Sequence, residues 1–167
     1  MKAGQSIETN FADPDVLFVT NTYRKVRCER LRMMQFVRFQ KTADGTYFAM
    51  IEPDYDVLPL IVPHFSDRFS EECWLIYDRC RRYGYYHAGH KSVRVTFEDG
   101  AEVFRLPDGR LSEAMRDEDE MWYQEMWRTY FKAICIKERL NPRKHRKDMP
   151  VRYWKYLTEK QIGEQEK

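Results

Sequence analysis

No stretch of this sequence approaches the ~18 apolar residues that a bilayer-crossing helix needs. The opening Met-Lys-Ala-Gly-Gln-Ser also lacks the apolar run of a secretory signal. Neither membrane nor export is therefore expected, and the expected compartment is cytoplasmic. Charge of one sign is missing too. With 29 Lys and Arg against 27 Asp and Glu, the net charge is only +2, so any electrostatic function must come from local segregation of charge. Cysteine is sparse. Cys28, Cys73, Cys80 and Cys135 include no CxxC pair of the kind that holds zinc or runs redox chemistry, and most are expected to be small buried core residues. There is no phosphate-cradling glycine loop, no GxSxG elbow and no Cys-His nucleophile pair. His87 and His90 stand three apart across a turn, and no carboxylate at ligand spacing completes a zinc site. The sequence thus gives no assembled catalytic centre, no metal and no cofactor, and leaves open whether the protein is an enzyme.

What is present is ample for a core. Of 167 residues, 43% are hydrophobic and 15% aromatic, with 34% charged, which fits one domain burying about two-thirds of its unfolded surface. Asp13-Pro14 has the form of a helix cap followed by a first-turn proline. Val16, Val19, Tyr23 and Val26 then repeat at helical spacing. Ala43-Asp44-Gly45 between Phe36–Phe39 and Tyr47–Ile51 predicts a hairpin. Pro59 and Pro63 limit residues 57–69 to a broken or short helix. Trp74–Tyr77, Tyr83–His87 and Val93–Phe97 read as strands, with Val103-Phe104 as a short edge strand. Tyr123, Trp127, Tyr130 and Ile134 mark a long helix, preceded by the acidic run Asp117–Glu120 that suits a helix N-terminus. Asn141-Pro142 and Asp148-Met149-Pro150 predict two short closing helices. The expected fold is α+β, an antiparallel sheet with an N-terminal helix and a C-terminal helical segment. It spans residues 1–159 as one domain, followed by a polar tail at 160–167.

The strongest local signal lies between Lys137 and Lys155. Lys137, Arg139, Arg143, Lys144, Arg146, Lys147, Arg152 and Lys155 outweigh Glu138 and Asp148, and Tyr153, Trp154 and Tyr156 interleave with the later charges. Cations grip phosphates and aromatic faces stack on unpaired bases. The bland alternative is a solvated basic face with Trp154 in the core. Arg24, Lys25, Arg27, Arg30 and Arg32 form a second basic set on the first helix. The candidate nucleic-acid contacts are Arg24, Arg27, Arg139, Arg143, Lys144, Arg146, Lys147, Arg152 and Lys155.

Several motifs together resemble a bacterial family linked to DNA metabolism or repair and labelled domain of unknown function 4130. They are Glu29-x-x-Arg32-Met33-x-x-Phe36-Val37-Arg38-Phe39, Glu52-Pro53 with Val57-Leu58-Pro59-Leu60, and Pro63-His64-Phe65 with Arg68-Phe69. Trp74-x-Ile76-x-Asp78, Arg82-Tyr83-Gly84, Trp127-x-x-Tyr130-Phe131 and Met149-Pro150-x-Arg152-Tyr153-Trp154-Lys155-x-Leu157 complete the set. The resemblance covers nearly the whole chain, from Asp13 to Glu159. Two departures are Leu31, where the family pattern has histidine, and the lack of a further N-terminal segment, which suggests a short member or the C-terminal part of a longer one. The resemblance implies a role near DNA beside a radical-SAM protein or a uracil-DNA glycosylase-like domain. It implies no reaction. The leading expectation is an accessory nucleic-acid-binding domain of a DNA repair or modification system. The rivals are a protein–protein adaptor for such a partner, and a glycosylase-like or hydrolytic enzyme using Glu29, Glu52 or Asp78.

Overall fold

A computed structural model describes residues 10–97 and 110–161. Helix α1 spans Pro14–Phe36. Its N-terminal amides need partners, and the Asp13 carboxylate accepts from the N–H groups of Asp15 at 2.9 Å and Val16 at 3.5 Å. Proline at the first helical position has no donor to waste. Only the C-terminal third of α1 enters the core, through Glu29, Met33 and Phe36, which share one face at spacings of four and three. The expected apolar stripe is divided: Val16 is partly buried and Val26 packs against the core, while Val19 and Tyr23 project outward at 64% and 63% exposed.

The sheet runs in chain order, β1 (Gln40–Lys41), β2 (Tyr47–Ile51), β3 (Trp74–Asp78), β4 (Tyr83–Ala88) and β5 (Lys91–Val95). β1 and β2 form the expected hairpin, turned at Gly45 with φ +85°. The first strand is shorter than anticipated because α1 continues through Phe36. β3, β4 and β5 make an antiparallel meander. The α+β class holds, but the sheet is mixed, since β2 and β3 pair in parallel. The connection responsible is helix α2, Leu58–Arg68, an unbroken helix of 11 residues, the short one of the two alternatives that the prolines left. Pro59 sits in the first turn, where no amide hydrogen is needed, and only Pro63 removes an interior hydrogen bond.

The main core lies between the sheet, α2 and the end of α1, and includes Met33, Phe36, Leu58, Ile61, Phe65, Trp74 and Ile76. Phe48, Met50, Tyr77, Leu111 and Tyr156 cover the opposite face. β2 and β3 are consequently buried on both sides. Gly84 faces β3 so closely that a Cβ there would lie 2.7 Å from the Ile76 carbonyl oxygen. His87 is buried, stacked on Trp74 at 4.9 Å and held by Ser92 Oγ at 2.8 Å and the Ser70 carbonyl at 3.2 Å. Both of its ring nitrogens are therefore engaged.

The chain closes with α3 (Glu120–Ala133), α4 (Pro142–Asp148) and a 3-10 segment, Val151–Tyr156, which follows Pro150 as anticipated. The Asn141 side chain caps α4 by accepting from Lys144 N–H at 2.9 Å. That segment delivers Tyr153 and Leu157 to the core. Two further expectations meet a different outcome. The stripe on α3 faces out, with Tyr123 51%, Trp127 39%, Tyr130 55% and Ile134 54% exposed, while Glu120 and Gln124 are buried. Cys28, Cys80 and Cys135 are exposed rather than in the core, because they lie on the outer side of α1, in the β3–β4 turn and just beyond α3. Val103-Phe104 and most of the polar tail lie outside the described residues. Among the described residues, no helix is long and apolar enough to cross a membrane.

Candidate nucleic-acid interface

A carboxylate 2% exposed inside a helix needs partners, and Glu29 has four. The backbone amides of Asp54 and Tyr55 donate to it at 2.8 and 2.7 Å. Arg152 Nη2 donates at 2.9 Å and the Tyr153 hydroxyl at 3.0 Å. Arg152 also pairs with Asp54 and lies over the Tyr153 ring at 4.5 Å. Burial, with the Glu29 charge next, pushes the Tyr153 phenol up to about 12, so it stays protonated and can donate. Glu29 thus ties α1, the loop after β2 and the C-terminal 3-10 segment together.

Beside this clamp lies a cleft of about 450 Å³, lined by Arg24, Lys25, Cys28, Glu29, Arg32, Asp54, Tyr55 and Arg152. Four cations face two carboxylates there, so it is net positive. The two basic sets of the sequence meet at this point through Arg152.

The nine sequence-nominated cations divide into two groups. Arg152 and Lys155 are held by the protein's own carboxylates, Lys155 pairing with Glu52. Lys144 pairs with Asp148 across one turn of α4 at 2.6 Å, an exposed contact, screened by solvent, that a phosphate can displace. Arg24, Arg27, Arg139, Arg143, Arg146 and Lys147 are exposed, and among the described residues none of them forms an ion pair. Trp154 is half-buried against the core, its indole N–H donating to the Met149 carbonyl at 3.0 Å.

The carboxylates nominated for hydrolytic chemistry are similarly committed. Asp78 is fully buried and accepts from Arg81 Nη1 at 2.8 Å and Arg81 N–H at 3.2 Å. Burial raises its carboxyl above the usual range. Glu52 is opposed by burial, but donation from Lys155 and Tyr156 holds it below that range. With Glu29 accepting four bonds, each of the three acts as a fastener between segments. Among the described residues, no three His, Cys, Asp or Glu converge as a metal site would require.

The model of one family, described as a domain of unknown function, matches residues 1–159. The chain belongs to the DUF4130 family. No curated protein and no solved structure matches it. In DUF4130 terms, the Glu29 motif and the Arg152-Tyr153 motif, far apart in sequence, are the two halves of one clamp.

This DUF4130 chain has a second, larger cleft, lined in part by residues of four of the motifs above, including Phe39, His64, Phe69 and Trp127. About 760 Å³ opens between the end of α1, β1–β2, α2 and α3. Phe39, Tyr47, Phe69, Tyr123 and Trp127 contribute rings, and Arg38, Lys41, His64 and Arg68 contribute basic groups. Glu120 and Gln124, one turn apart on α3, line it from buried positions. Glu120 accepts from Lys41 N–H at 2.9 Å and from Gln124 Nε2 at 2.8 Å. Burial nonetheless raises its carboxyl above the usual value of 4.5. Trp127 is fixed rather than loose, for its indole N–H donates to Glu159 at 2.9 Å and Arg38 lies over its ring at 5.7 Å. The sequence had marked this wall only as a helix, through the acidic run ending at Glu120 and the Tyr123–Trp127 spacing.

Proposed function

We propose that this chain is an accessory nucleic-acid-binding domain that holds DNA for a partner performing the chemistry in a repair or modification system. The observation that carries the reading is the division of the cations. Those needed by the scaffold are neutralised internally. Arg24, Arg27, Arg139, Arg143, Arg146 and Lys147 face solvent without an ion pair among the described residues. Exposed cations of this kind release counterions from a phosphate backbone on contact, and this release supplies most sequence-independent affinity. The resemblance to a DNA-metabolism family supports DNA as the polymer and a radical-SAM or glycosylase-like protein as the partner.

The test is a titration of fluorescent duplex and single-stranded DNA at low salt against the parent protein and the Arg143→Glu/Lys147→Glu variant. The variant should lose binding to both while its unfolding midpoint stays unchanged. Undiminished binding would remove α4 from the interface. A second reading, an adaptor for the same partner, rests on the apolar side chains exposed along α3 and the first turns of α1, including Phe18, Trp122 and Trp127. Under that reading the charge reversal leaves partner binding intact.

A further inference from the structure

We propose that the larger cleft receives one unpaired nucleotide of a single strand, its base among the aromatic rings and its phosphate towards the rim cations. This inference rests on the nucleic-acid reading above and assigns it a pocket. Three features converge on that ligand. At about 760 Å³ the cleft falls within the ~300–1,000 Å³ typical of small-ligand sites. Its walls offer flat rings, and Trp127 is held in place at one edge by Glu159 while remaining 39% exposed. A fixed ring that is open to solvent loses little entropy when a base stacks on it. Such stacking tolerates any sequence because every base has a π-face.

The polar groups complete the match. Arg68 is exposed on the rim and lies over the Phe69 ring at 5.7 Å. Lys41, half-buried, is bridged to Asp117 at 3.1 Å. Arg68, which forms no ion pair among the described residues, suits a phosphate at the mouth. On the wall, Gln124 Nε2 donates to Glu120 and its carbonyl accepts from Arg128 at 3.4 Å, which leaves the second amide hydrogen of Gln124 as the donor for a base edge. A purely apolar ligand would leave the rim cation Arg68 unused, and an inorganic anion would leave the rings unused. A nucleotide uses both.

The experiment compares pentathymidylate with a pentamer of the same backbone carrying only abasic sugars, by fluorescence anisotropy. The proteins are the parent, Trp127→Ala and Trp127→Phe. The parent should prefer the base-bearing strand by about 5- to 150-fold, the range for one stacked base. Trp127→Ala should erase most of that preference without weakening binding to the abasic strand, and Trp127→Phe should restore most of it. Equal parent affinity for both strands, or a preference that survives in Trp127→Ala, overturns the pocket while leaving the nucleic-acid reading standing. If the parent binds neither strand nor duplex at low salt, both readings fail.

Discussion

Replacing Glu29 with alanine should be among the most damaging single changes in this protein, for reasons that can be counted. The side chain is 2% exposed and accepts four hydrogen bonds. Its removal strands two backbone amides, a buried phenol and one face of the Arg152 guanidinium. Each buried donor left unpaired costs about 1–3 kcal/mol, so the two amides and the phenol together put the loss at about 3–5 kcal/mol, while Arg152, its side chain 40% exposed, turns to solvent and Asp54. For a chain of this size that corresponds to a melting temperature roughly 6–20 °C lower. Glu29→Gln is a finer probe. Oε1 takes the bonds from Asp54, Arg152 and Tyr153, whereas Oε2 takes only the one from Tyr55. A glutamine can keep the first three with its oxygen but must present an NH2 to the Tyr55 N–H. The cost should be about 1.5–3 kcal/mol, that of a charge-assisted bond. Arg152→Ala removes one donor of the four and should cost a similar amount. Urea denaturation monitored by far-UV circular dichroism would give the order. If Glu29→Ala lies within about 0.5 kcal/mol of the parent, the range of ordinary surface changes, the clamp does not hold the three segments together.

Gly84→Ala should destabilise by about 1–3 kcal/mol, since the new methyl would sit 2.7 Å from a strand carbonyl that cannot move freely; denaturant midpoints check this. Trp154→Ala should cost about 3–5 kcal/mol by the same assay through lost packing, and should leave the salt dependence of any DNA binding unchanged. The Glu159 carboxyl is opposed by burial, but donation from Arg38 and Trp127 holds it below its ordinary 4.5. A depressed folded value contributes stability that is present above 4.5 and lost as pH falls through the folded value. Arg38→Ala should therefore flatten the acid limb of a stability–pH profile, and an unchanged limb would contradict the pairing.

How far the sequence revealed this fold depends on the element. The caps were legible because they are local: Asp13-Pro14 and Asn141-Pro142 begin α1 and α4 where chain chemistry puts them. Asp44-Gly45 likewise turns the β1–β2 hairpin. The parallel β2–β3 pair was not legible. Proline at positions 59 and 63 reads as punctuation, and only tertiary packing shows that a helix tolerates both. Periodicity found the amphipathic faces of α1 and α3 but not which face the protein buries. On α3 the buried positions are Glu120 and Gln124, chosen by a hydrogen bond to Lys41 that no local pattern encodes. The clamp was hidden for the same reason. Glu29 and Arg152 are 123 residues apart, so they appeared in separate motifs, Glu29 also as a candidate hydrolytic carboxylate and Arg152 as a candidate phosphate contact, with nothing to join them.

The central claim is that α4 holds a phosphate backbone, and the salt dependence of DNA affinity tests it most directly. If Arg143, Lys144, Arg146 and Lys147 each neutralise one phosphate, log affinity should fall linearly with log salt. The slope should be roughly −3.6 on duplex and roughly −2.8 on single strands. Replacing Arg143 and Lys147 together with alanine should reduce the duplex slope by about 1.8 and weaken all sequences alike, because phosphate contacts carry no base information. A slope near zero, or one that the double replacement leaves unchanged, would contradict the account.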